Sequence, residues 1–541
     1  MSDTLEETSF DYIILGTGLI ESVLAGSLAR VGKKVLHLDN NQHYGSNWST
    51  FGIREIARFY SNHKGTRDIE QSDPAKTTYN KQYSSVYKNV NFQLFPTLLS
   101  QEEKDDIKSK IAEGLSIDAF ISDMHESDKD LFEFFTTEDP YEAICLMTAF
   151  NKLLKSSRSY NLDIAPKLLG SREELVEILI RSGVGRYLEF ENVGDIYMYD
   201  ETLKALEKVP GSKEDVFTSK SVSLVDKRKL MKFLTFAMEY KEGKTEIIES
   251  TYGEFLQDKF KITGKLLDAI AYAIALVDMN VPTRVGIEHT HKFVQSMGRF
   301  GKGAYLCPLY GGASEIAQAF CRICAVYGGI YILDYPIDQI LVNDDTNECT
   351  GIRTKTGQEF HCSKLITGMD YLPSIWLPNG GEFGTWISRA IIVTDQPLKD
   401  TENKDTLAYS VFPPGSDAGN EDYPIYVIHQ SQKTMACPSN QYVTYFWTES
   451  SNNNVLKNAL QLLLSEETHC ILSVFYDQRR RTANELEQTS LLPKHIAPCS
   501  DPDASLDFQS AISEAMKLFY LCEGSDEQFM PPAEEDPDEY E

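Results

Sequence analysis

The sequence predicts an α/β fold, in which a dinucleotide-binding, Rossmann-like domain is joined by a smaller all-helical domain. Three features of the 541-residue chain support this prediction. An apolar segment leads into a glycine-rich turn at residues 10–21, and a second apolar segment ends at Asp39. The third feature is a series of helix-forming segments between about residues 212 and 298. Alternating strands and helices are typical of an α/β sheet, whereas uninterrupted helices indicate a separate helical unit.

The first element is a buried strand at residues 10–15, followed by the turn Gly16-Thr17-Gly18-Leu19-Ile20-Glu21. Glu21 stands where the G-x-G-x-x-G pattern has its third glycine. In that pattern the glycines allow a tight turn, close approach of a pyrophosphate and close helix packing. A carboxylate at the positive end of the helix would occupy or repel the anion. The sequence therefore predicts a nucleotide-type scaffold with a non-functional flavin site and no bound cofactor.

The next elements complete a βαβ unit. An apolar helix from Leu19 to Arg30 closes at Gly32, and a second strand runs from residue 34 to 38 and ends in Asp39. An acid about 20 residues after the glycines is the usual ligand of a ribose hydroxyl. The alternative is that Asp39 is a cap or turn residue of a scaffold without ligand. We favour this alternative because Asp39 cannot restore a phosphate site that Glu21 blocks.

Three later segments carry further motifs: residues 40–48 (NNQHYGSNW), 297–311 (MGRFGKGAYLCPLYG) and 320–331 (FCRICAVYGGIY). These segments resemble the superfamily of Rab GDP-dissociation inhibitors and Rab escort proteins. Members of this superfamily have a flavoprotein-like (FAD/NAD(P)-binding, Rossmann-like) fold without bound flavin, which agrees with the interpretation of Glu21. The resemblance implies a cytosolic protein that binds small GTPases and contacts membranes transiently.

The pattern along the chain predicts a discontinuous organisation. We expect α/β domain I at residues 1–211 and 299–522, with an insertion at 62–155, and helical domain II at residues 212–298. Residues 523–541 contain nine acids and no base, which predicts a disordered acidic tail. The motif at residues 171–174 predicts a capping box at the start of a helix.

The resemblance also implies a platform for GDP-bound Rab GTPases. Its members would be Tyr44, Arg158, Glu315 and Arg322, with Ile330 and Ile332 as apolar contacts. Arginine suits such a surface because its planar fork holds carboxylates or carbonyls in a bidentate manner. Without the resemblance, Arg322 would be interpreted as part of a helix-surface salt bridge. The segment around Glu315 departs from the family's G-x-G-E-[LI]-P-Q, since it has one residue more and lacks the proline.

Residues 215–217 and 226–228 resemble the escort-protein segment that docks on the α-subunit of the Rab geranylgeranyltransferase αβ dimer. The resemblance assigns Phe217 and Arg228 to this contact, and an aromatic with an arginine is a typical interface hot spot. GDP-dissociation inhibitors keep the arginine and lack the phenylalanine, so Phe217 favours an escort protein. The alternative is that Phe217 is an ordinary core residue.

The helical region is unusually apolar. A helix over residues 226–240 would present Leu230, Leu234, Ala237 and Met238 on one side, and a second long helix over 266–277 would repeat the pattern. These side chains form either the core of a small bundle or a cleft that opens for geranylgeranyl groups, whose ~20 carbons are costly to leave in water. The cleft candidates are Leu230, Phe233, Leu234, Leu267, Ile270 and Ile274.

Composition narrows the classes of function. A net charge of −29 argues against nucleic-acid binding and suits a partner with basic segments. We find no signal peptide, membrane-spanning segment or C-a-a-X ending, and ten cysteines without framework spacing fit a reducing cytosol. Cys321 and Cys324 have no second pair of cysteine or histidine ligands at the spacing of a zinc site. His289 and His291 are interpreted as loop or helix-end residues. The sequence therefore predicts no metal or catalytic site.

The resulting hypothesis is a non-catalytic accessory component of Rab geranylgeranyltransferase that presents GDP-bound Rab GTPases for prenylation. The flexible tail of the bound GTPase would lie against an apolar strand of this protein near residues 386–393. Two alternatives remain open: a Rab GDP-dissociation inhibitor, and, from the fold alone, a flavin-dependent oxidoreductase.

Overall fold

The computed structural model describes residues 5–63, 86–212, 215–216, 222–241, 250–399 and 407–532. Its strands, in chain order, are β1 Ser9–Leu15, β2 Val35–Leu38, β3 Thr50–Phe51, β4 Tyr87–Leu94, β5 Leu162–Asp163, β6 Leu169–Gly170, β7 Phe190–Val193, β8 Asp195–Asp200, β9 Ala205–Lys208, β10 Tyr305–Pro308, β11 Ile330–Ile332, β12 Ile337–Asn343, β13 Glu348–Thr354, β14 Glu359–Gly368, β15 Thr385–Thr394, β16 Ala408–Phe412, β17 Ile425–Gln430, β18 Tyr442–Thr448, β19 Cys470–Arg480 and β20 Ile496–Cys499.

The α-helices are α1 Leu19–Arg30, α2 Ile53–His63, α3 Gln101–Ala112, α4 Ile117–Ser122, α5 Lys129–Phe132, α6 Pro140–Lys155, α7 Glu174–Ser182, α8 Leu224–Glu239, α9 Tyr252–Phe260, α10 Lys265–Asp268, α11 Thr283–Ser296, α12 Ala313–Val326, α13 Asn453–Leu463, α14 Ala483–Glu487 and α15 Gln509–Glu523. A π-helical turn, Ala269–Ile274, follows α10 directly. In the described part of the chain, no helix is both long enough and apolar enough to cross a membrane.

The first sheet has the strand order β11-β2-β1-β14-β13-β12, and β20 pairs with β14. Strand β1 runs parallel to both of its neighbours, β2 and β14. Helix α1 is buried along its whole length because it lies between this sheet and helices α12 and α15. The parallel β1-α1-β2 unit confirms the predicted α/β fold, including the helix bounds of α1.

The second sheet has the order β4-β19-β15-β18-β17-β16-β8-β9 and packs helix α13 on one face. Its other face shares one hydrophobic core with helices α2, α3 and α6 and with the helical segment from α8 to α11. Strand β15 lies between β18 and β19, and its residues 387–394 are buried. The expectation that this strand offers a surface to a bound peptide tail is therefore wrong, because its side chains are enclosed by the protein itself.

The helical segment differs from the expectation at three points. Met238 is exposed on α8, so it does not belong to the buried stripe of that helix. The second long helix is instead the four-residue α10 followed by the π-helical turn, and the chain leaves it at Leu276, which has a left-handed φ of 55°. His289 and His291 lie inside α11, where their Nδ1 atoms bond to the carbonyl oxygens of Ala275 and Ala237.

Two further expectations are corrected. The capping box at residues 171–174 does not form, because the Glu173 carboxylate accepts a hydrogen bond from Gly170 N at 3.0 Å, and the buried Ser171 hydroxyl has no partner among the described residues. The acidic tail does not begin at residue 523. Phe529 and Met530 are buried, and Met530 N donates to Ser27 Oγ on α1 at 3.0 Å. The remaining tail, residues 533–541, lies outside the described residues.

Candidate functional site

The glycine loop, residues 16–21, joins β1 to α1 at the carboxyl edge of the first sheet. Gly16 has a left-handed φ of 97°, and Gly18 precedes the first turn of α1. The Glu21 side chain folds back so that its carboxylate lies directly against Gly18. A Cβ atom on Gly368, at the end of β14, would lie 2.9 Å from Glu21 Oε1. The carboxylate therefore fills the space between the two strand ends where a pyrophosphate would approach the backbone.

Glu21 is 5% exposed, and burial raises the pKa of its carboxyl to about 8, helped by the acids Glu514, Asp39 and Asp501. The cavity beside it has a volume of about 20 Å³, which is room for about one water molecule. The residues of this loop do not fit a dinucleotide. The carboxyl group of Glu21 lies in the place where the phosphates would bind.

Asp39 follows β2 directly and bonds to the glycine loop and to the turn after it. Its Oδ2 accepts hydrogen bonds from Thr17 N at 2.7 Å and Thr17 Oγ1 at 2.6 Å. Its Oδ1 accepts from Asn41 N at 2.7 Å and Tyr371 Oη at 2.8 Å. Asp39 is fully buried, so both of its oxygens are committed to the chain. It fixes the start of the loop at residues 40–48, which carries Tyr44.

Tyr44 links this loop to two other elements. Its carbonyl oxygen accepts from Ser314 Oγ in the first turn of α12 at 3.1 Å. Its ring lies 6.3 Å from the ring of Tyr331, in the edge strand β11. Burial and a hydrogen bond with Tyr331 raise the pKa of Tyr44. Tyr331 was not among the residues singled out from the sequence, although it stands between the two isoleucines that were.

Ile330 and Ile332 lie on the opposite face of β11 from Tyr331, because successive side chains of a strand alternate. Both isoleucines are half-buried and pack against the cluster that contains Leu36 and Leu38 of β2. The structure therefore does not bring them to the same face as Tyr44.

Helix α12 carries Glu315 and Arg322, which are seven residues apart and so lie on one face of the helix. Arg322 is exposed, and its guanidinium carbon lies 4.1 Å from the centre of the Tyr187 ring. Within the described residues Arg322 has no carboxylate partner, so the alternative of a helix-surface salt bridge is wrong. Glu315 is half-buried, and burial, followed by the charge of Asp163, raises its pKa.

Arg158 is exposed in the turn after α6. Asp163 of β5, five residues further along the chain, bonds to the start of α12. Asp163 Oδ1 accepts from Thr50 Oγ1 of β3 at 2.6 Å and from Gly312 N at 2.8 Å. Asp163 thus links β5 to β3 and to the start of α12, and Ser314 links α12 to loop 40–48. We call Tyr44, Arg158, Tyr187, Glu315, Arg322 and Tyr331 the platform surface.

A second candidate surface lies at the start of α8. Phe217 lies outside the described residues. Arg228 is exposed, and Leu224 and Val225, one turn before it, are 76% and 61% exposed. Residues three and four apart on a helix are neighbours, so these three side chains form one exposed patch.

The lipid-cleft candidates are enclosed in the core. Leu230, Phe233, Leu234, Leu267, Ile270 and Ile274 are at most 5% exposed and belong to one hydrophobic cluster. Five of them are enclosed in this core, and Ile274 also lines a cavity of about 300 Å³. Cys321 and Cys324 are buried in α12, and the described residues contain no cluster of side chains suited to a metal ion.

The chain belongs to the GDP dissociation inhibitor family, whose sequence profile matches residues 5–114 and 131–530. A human relative, Rab proteins geranylgeranyltransferase component A 2, is 28% identical over 98% of this chain and 93% of its own length. The Rab GDP-dissociation inhibitor of Saccharomyces cerevisiae is 27% identical over 96% of both chains. The crystal structure of a Rab GDI from Plasmodium falciparum superposes with a TM-score of 0.64 at 22% identity, covering 95% of this chain and 98% of that one.

Proposed function

We propose that this protein is a Rab escort protein. It binds newly made, GDP-bound Rab GTPases, presents them to Rab geranylgeranyltransferase and delivers the prenylated product to membranes. The observation that carries the proposal is the similarity to the human component A 2, which extends over 98% of the chain. The protein is a non-catalytic accessory component that works in the cytosol and contacts membranes only transiently.

The platform surface supplies the GTPase contact. Arg322 offers an exposed guanidinium that the Tyr187 ring holds in place, so less side-chain freedom is lost when it binds. Glu315 and Arg158 add a carboxylate and a second guanidinium, and Tyr44 and Tyr331 add aromatic area. Exposed arginines and tyrosines are the residue types that dominate binding energy in interfaces. Ile330 and Ile332 contact the partner only where it reaches around the edge of β11.

The patch at the start of α8 supplies the prenyltransferase contact. Arg228 and Phe217 dock on the α-subunit of the αβ dimer, and the exposed Leu224 and Val225 support this location because they place apolar area beside the guanidinium. The geranylgeranyl groups then enter the core of the helical segment. This step requires the core of the helical segment to open, since the six cleft residues are buried in one hydrophobic cluster.

No flavin takes part in this function. The position of Glu21 supports this part of the proposal, because its carboxylate occupies the space beside Gly18 and Gly368. Restoring a glycine at position 21 would remove the carboxylate, but both oxygens of Asp39 would still be bound by the chain.

The test is transfer of geranylgeranyl to an unprenylated, GDP-loaded Rab by the catalytic αβ dimer, with and without this chain. We expect strict dependence on the chain, loss with Phe217→Ala, and strong reduction with Arg228→Glu. Lys232→Glu is the matched control, since it makes the same charge change on an exposed residue one turn further along α8. Full transfer without the chain would contradict the proposal.

The second candidate is a Rab GDP-dissociation inhibitor, favoured by the similarity to the yeast protein of that name. Such a protein would extract prenylated Rab from membranes and would not stimulate transfer. Extraction without stimulation would therefore identify it. A visible flavin absorption band in the purified protein would instead support an oxidoreductase.

A further inference from the structure

A buried hydroxyl links the helical segment to the second sheet. Tyr409 lies in β16 and is fully buried. Its hydroxyl donates a hydrogen bond to the carbonyl oxygen of Ala273, in the π-helical turn, at 2.5 Å. Ala273 stands directly before Ile274 and three residues after Ile270, two of the lipid-cleft candidates. The position of these two side chains therefore depends on a contact that comes from outside the helical segment.

The π-helical turn needs such a partner because its own hydrogen bonds do not include the Ala273 carbonyl. The last bonds of the turn run from Ala275 N to Ile270 O at 2.8 Å and from Val277 N to Ala271 O at 2.9 Å. In the described part of the chain, no backbone amide donates to Ala273 O. Buried carbonyls at the end of a helix are normally satisfied by other groups. The tyrosine hydroxyl supplies the missing donor.

On another side, the turn borders on free space. A cavity of about 300 Å³ lies between the helical segment and strands β10 and β17, and Ile274, Ala275 and Leu276 form part of its wall. Leu276 has a left-handed φ of 55°, which is uncommon for a residue with a side chain. π-Helical turns are also rare and are frequent at functional sites. The side chains of the turn therefore have room into which they can shift.

A second contact from the sheet fixes the other end of the same element. Lys265, the first residue of α10, forms an ion pair with Asp200 at the end of β8. Asp200 is 3% exposed and also accepts from the amides of Thr202 and Leu203 at 2.7 and 3.1 Å. The Lys265 side chain is exposed, so solvent screens part of the attraction. We expect the buried Tyr409 bond to contribute more to the attachment than this ion pair.

We propose that Tyr409 is a positioning residue that holds the π-helical turn against the second sheet and thereby keeps the apolar core closed. When its hydrogen bond to Ala273 breaks, the turn shifts toward the cavity and moves Ile270 and Ile274 away from the rest of the core. An isoprenoid chain enters the space that this movement leaves. This role rests on the proposed function, in which geranylgeranyl groups bind in this core, and it assigns the control of that binding to one residue of the sheet.

The Tyr409 bond stabilises the closed form alone, and this gives the role a distinctive consequence. Loss of the hydroxyl shifts the equilibrium toward the open form, and the apparent affinity for an isoprenoid rises with the fraction of open protein. A residue that only supports the fold would behave differently. Its loss would lower the stability of the protein without raising its affinity for a lipid.

Tyr409→Phe removes the hydroxyl and keeps the ring. The probe is geranylgeranyl cysteine that carries a dansyl group, and its fluorescence on titration with the full chain measures the affinity. We expect Tyr409→Phe to bind the probe about fivefold more tightly than the wild type. Tyr252→Phe is the matched control, because Tyr252 is fully buried and its hydroxyl bonds to Thr290 Oγ1 at 2.6 Å, within the helical segment. It should lower the melting temperature by a similar amount and leave the affinity for the probe unchanged.

Hydrogen exchange followed by mass spectrometry measures the movement without any ligand. In Tyr409→Phe the amides of residues 270–277 should exchange about fivefold faster than in the wild type, whereas those of α9 should keep their rate. Lys265→Gln removes the second attachment and should raise both the affinity and the exchange rate by a smaller factor. This variant provides the same test if Tyr409→Phe does not fold.

Equal or weaker binding of the probe by Tyr409→Phe, or unchanged exchange in the turn, would overturn the role of Tyr409. The proposed function would still stand in that case if the wild type binds the probe and supports transfer to a Rab. Absence of probe binding by the wild type and every variant would overturn the control of lipid binding, and the transfer assay would then decide the proposed function by itself.

Discussion

Replacing Glu21 by glutamine should change how the stability of the protein depends on pH. Burial moves the pKa of this carboxyl from its ordinary value of 4.5 to about 8. Between these values the folded protein holds a proton that the unfolded chain releases. The stability that depends on this proton is fully present below pH 4.5 and is lost as pH rises through 8. Glutamine has nearly the same shape and does not titrate.

The magnitude follows from the shift. One pKa unit corresponds to about 1.4 kcal/mol, so the full window corresponds to about 5 kcal/mol. Between pH 5 and pH 8 the free energy of unfolding of the wild type should fall by about 3.5 kcal/mol relative to Glu21→Gln. Other groups titrate in the same range, including Asp163, whose pKa burial raises to about 6. The difference between the two proteins removes their contribution.

Urea unfolding of both proteins at pH 5, 6, 7 and 8, followed by tryptophan fluorescence, measures this difference. Glu6→Gln is the control, since Glu6 is exposed near the start of the chain, and its difference from wild type should stay constant. A difference for Glu21→Gln that does not change with pH would refute the reasoning. It would show that Glu21 is charged and solvated in the folded protein, and that the loop is open to a ligand.

Three further predictions concern the platform surface, the turn after β2 and the end of the chain. Arg322→Ala should weaken binding to a GDP-loaded Rab about tenfold with little change in melting temperature. Gln318→Ala, which changes an exposed residue of the same helix, should leave the affinity unchanged. Surface plasmon resonance measures the affinity of both variants. Asp39→Ala should lower the free energy of unfolding by about 3 kcal/mol or more, because the buried Thr17 amide and Tyr371 hydroxyl lose their acceptor. A loss of less than about 1 kcal/mol, measured by urea unfolding, would contradict this hydrogen-bond network. Removing residues 523–541 should lower the free energy of unfolding by about 3–6 kcal/mol, because Phe529 and Met530 leave the core. Removing only residues 533–541 should change it little. Equal stability of the two truncated chains would contradict this packing.

The sequence was a good guide wherever local pattern and local chemistry agree. The glycine turn, the apolar helix after it and the strand ending in Asp39 all lie within one βαβ unit, and the structure confirms their order. The position of Glu21 could be interpreted because each glycine of the pattern has a known role, namely the tight turn, the approach of a pyrophosphate or the packing of the helix. The family resemblance then located loop 40–48 and α12, which lie far apart in the chain.

Several of the remaining features depend on contacts between distant segments, and others on local backbone geometry. Tyr187 was missed as the support of Arg322, because 135 residues separate them in the chain and no local pattern connects them. The sequence analysis assigned Ile330 and Ile332 to the GTPase contact without considering that side chains alternate along a strand. This alternation directs Tyr331, rather than the two isoleucines, toward Tyr44. The π-helical turn was expected to be an ordinary helix, since apolar spacing alone does not reveal that Leu276 adopts a left-handed backbone.

The closure of the glycine loop by Glu21 also bears on how the protein matures. A flavoprotein reaches its final state only when a second molecule arrives, so its level in the cell follows the vitamin supply. Here the group that fills the glycine loop is the carboxyl of Glu21, which belongs to the chain itself and is present as soon as α1 forms. With the flavin-free state proposed above, a cell starved of riboflavin would keep the same amount of folded protein. Each newly synthesised copy would be ready for its partner without waiting for a cofactor.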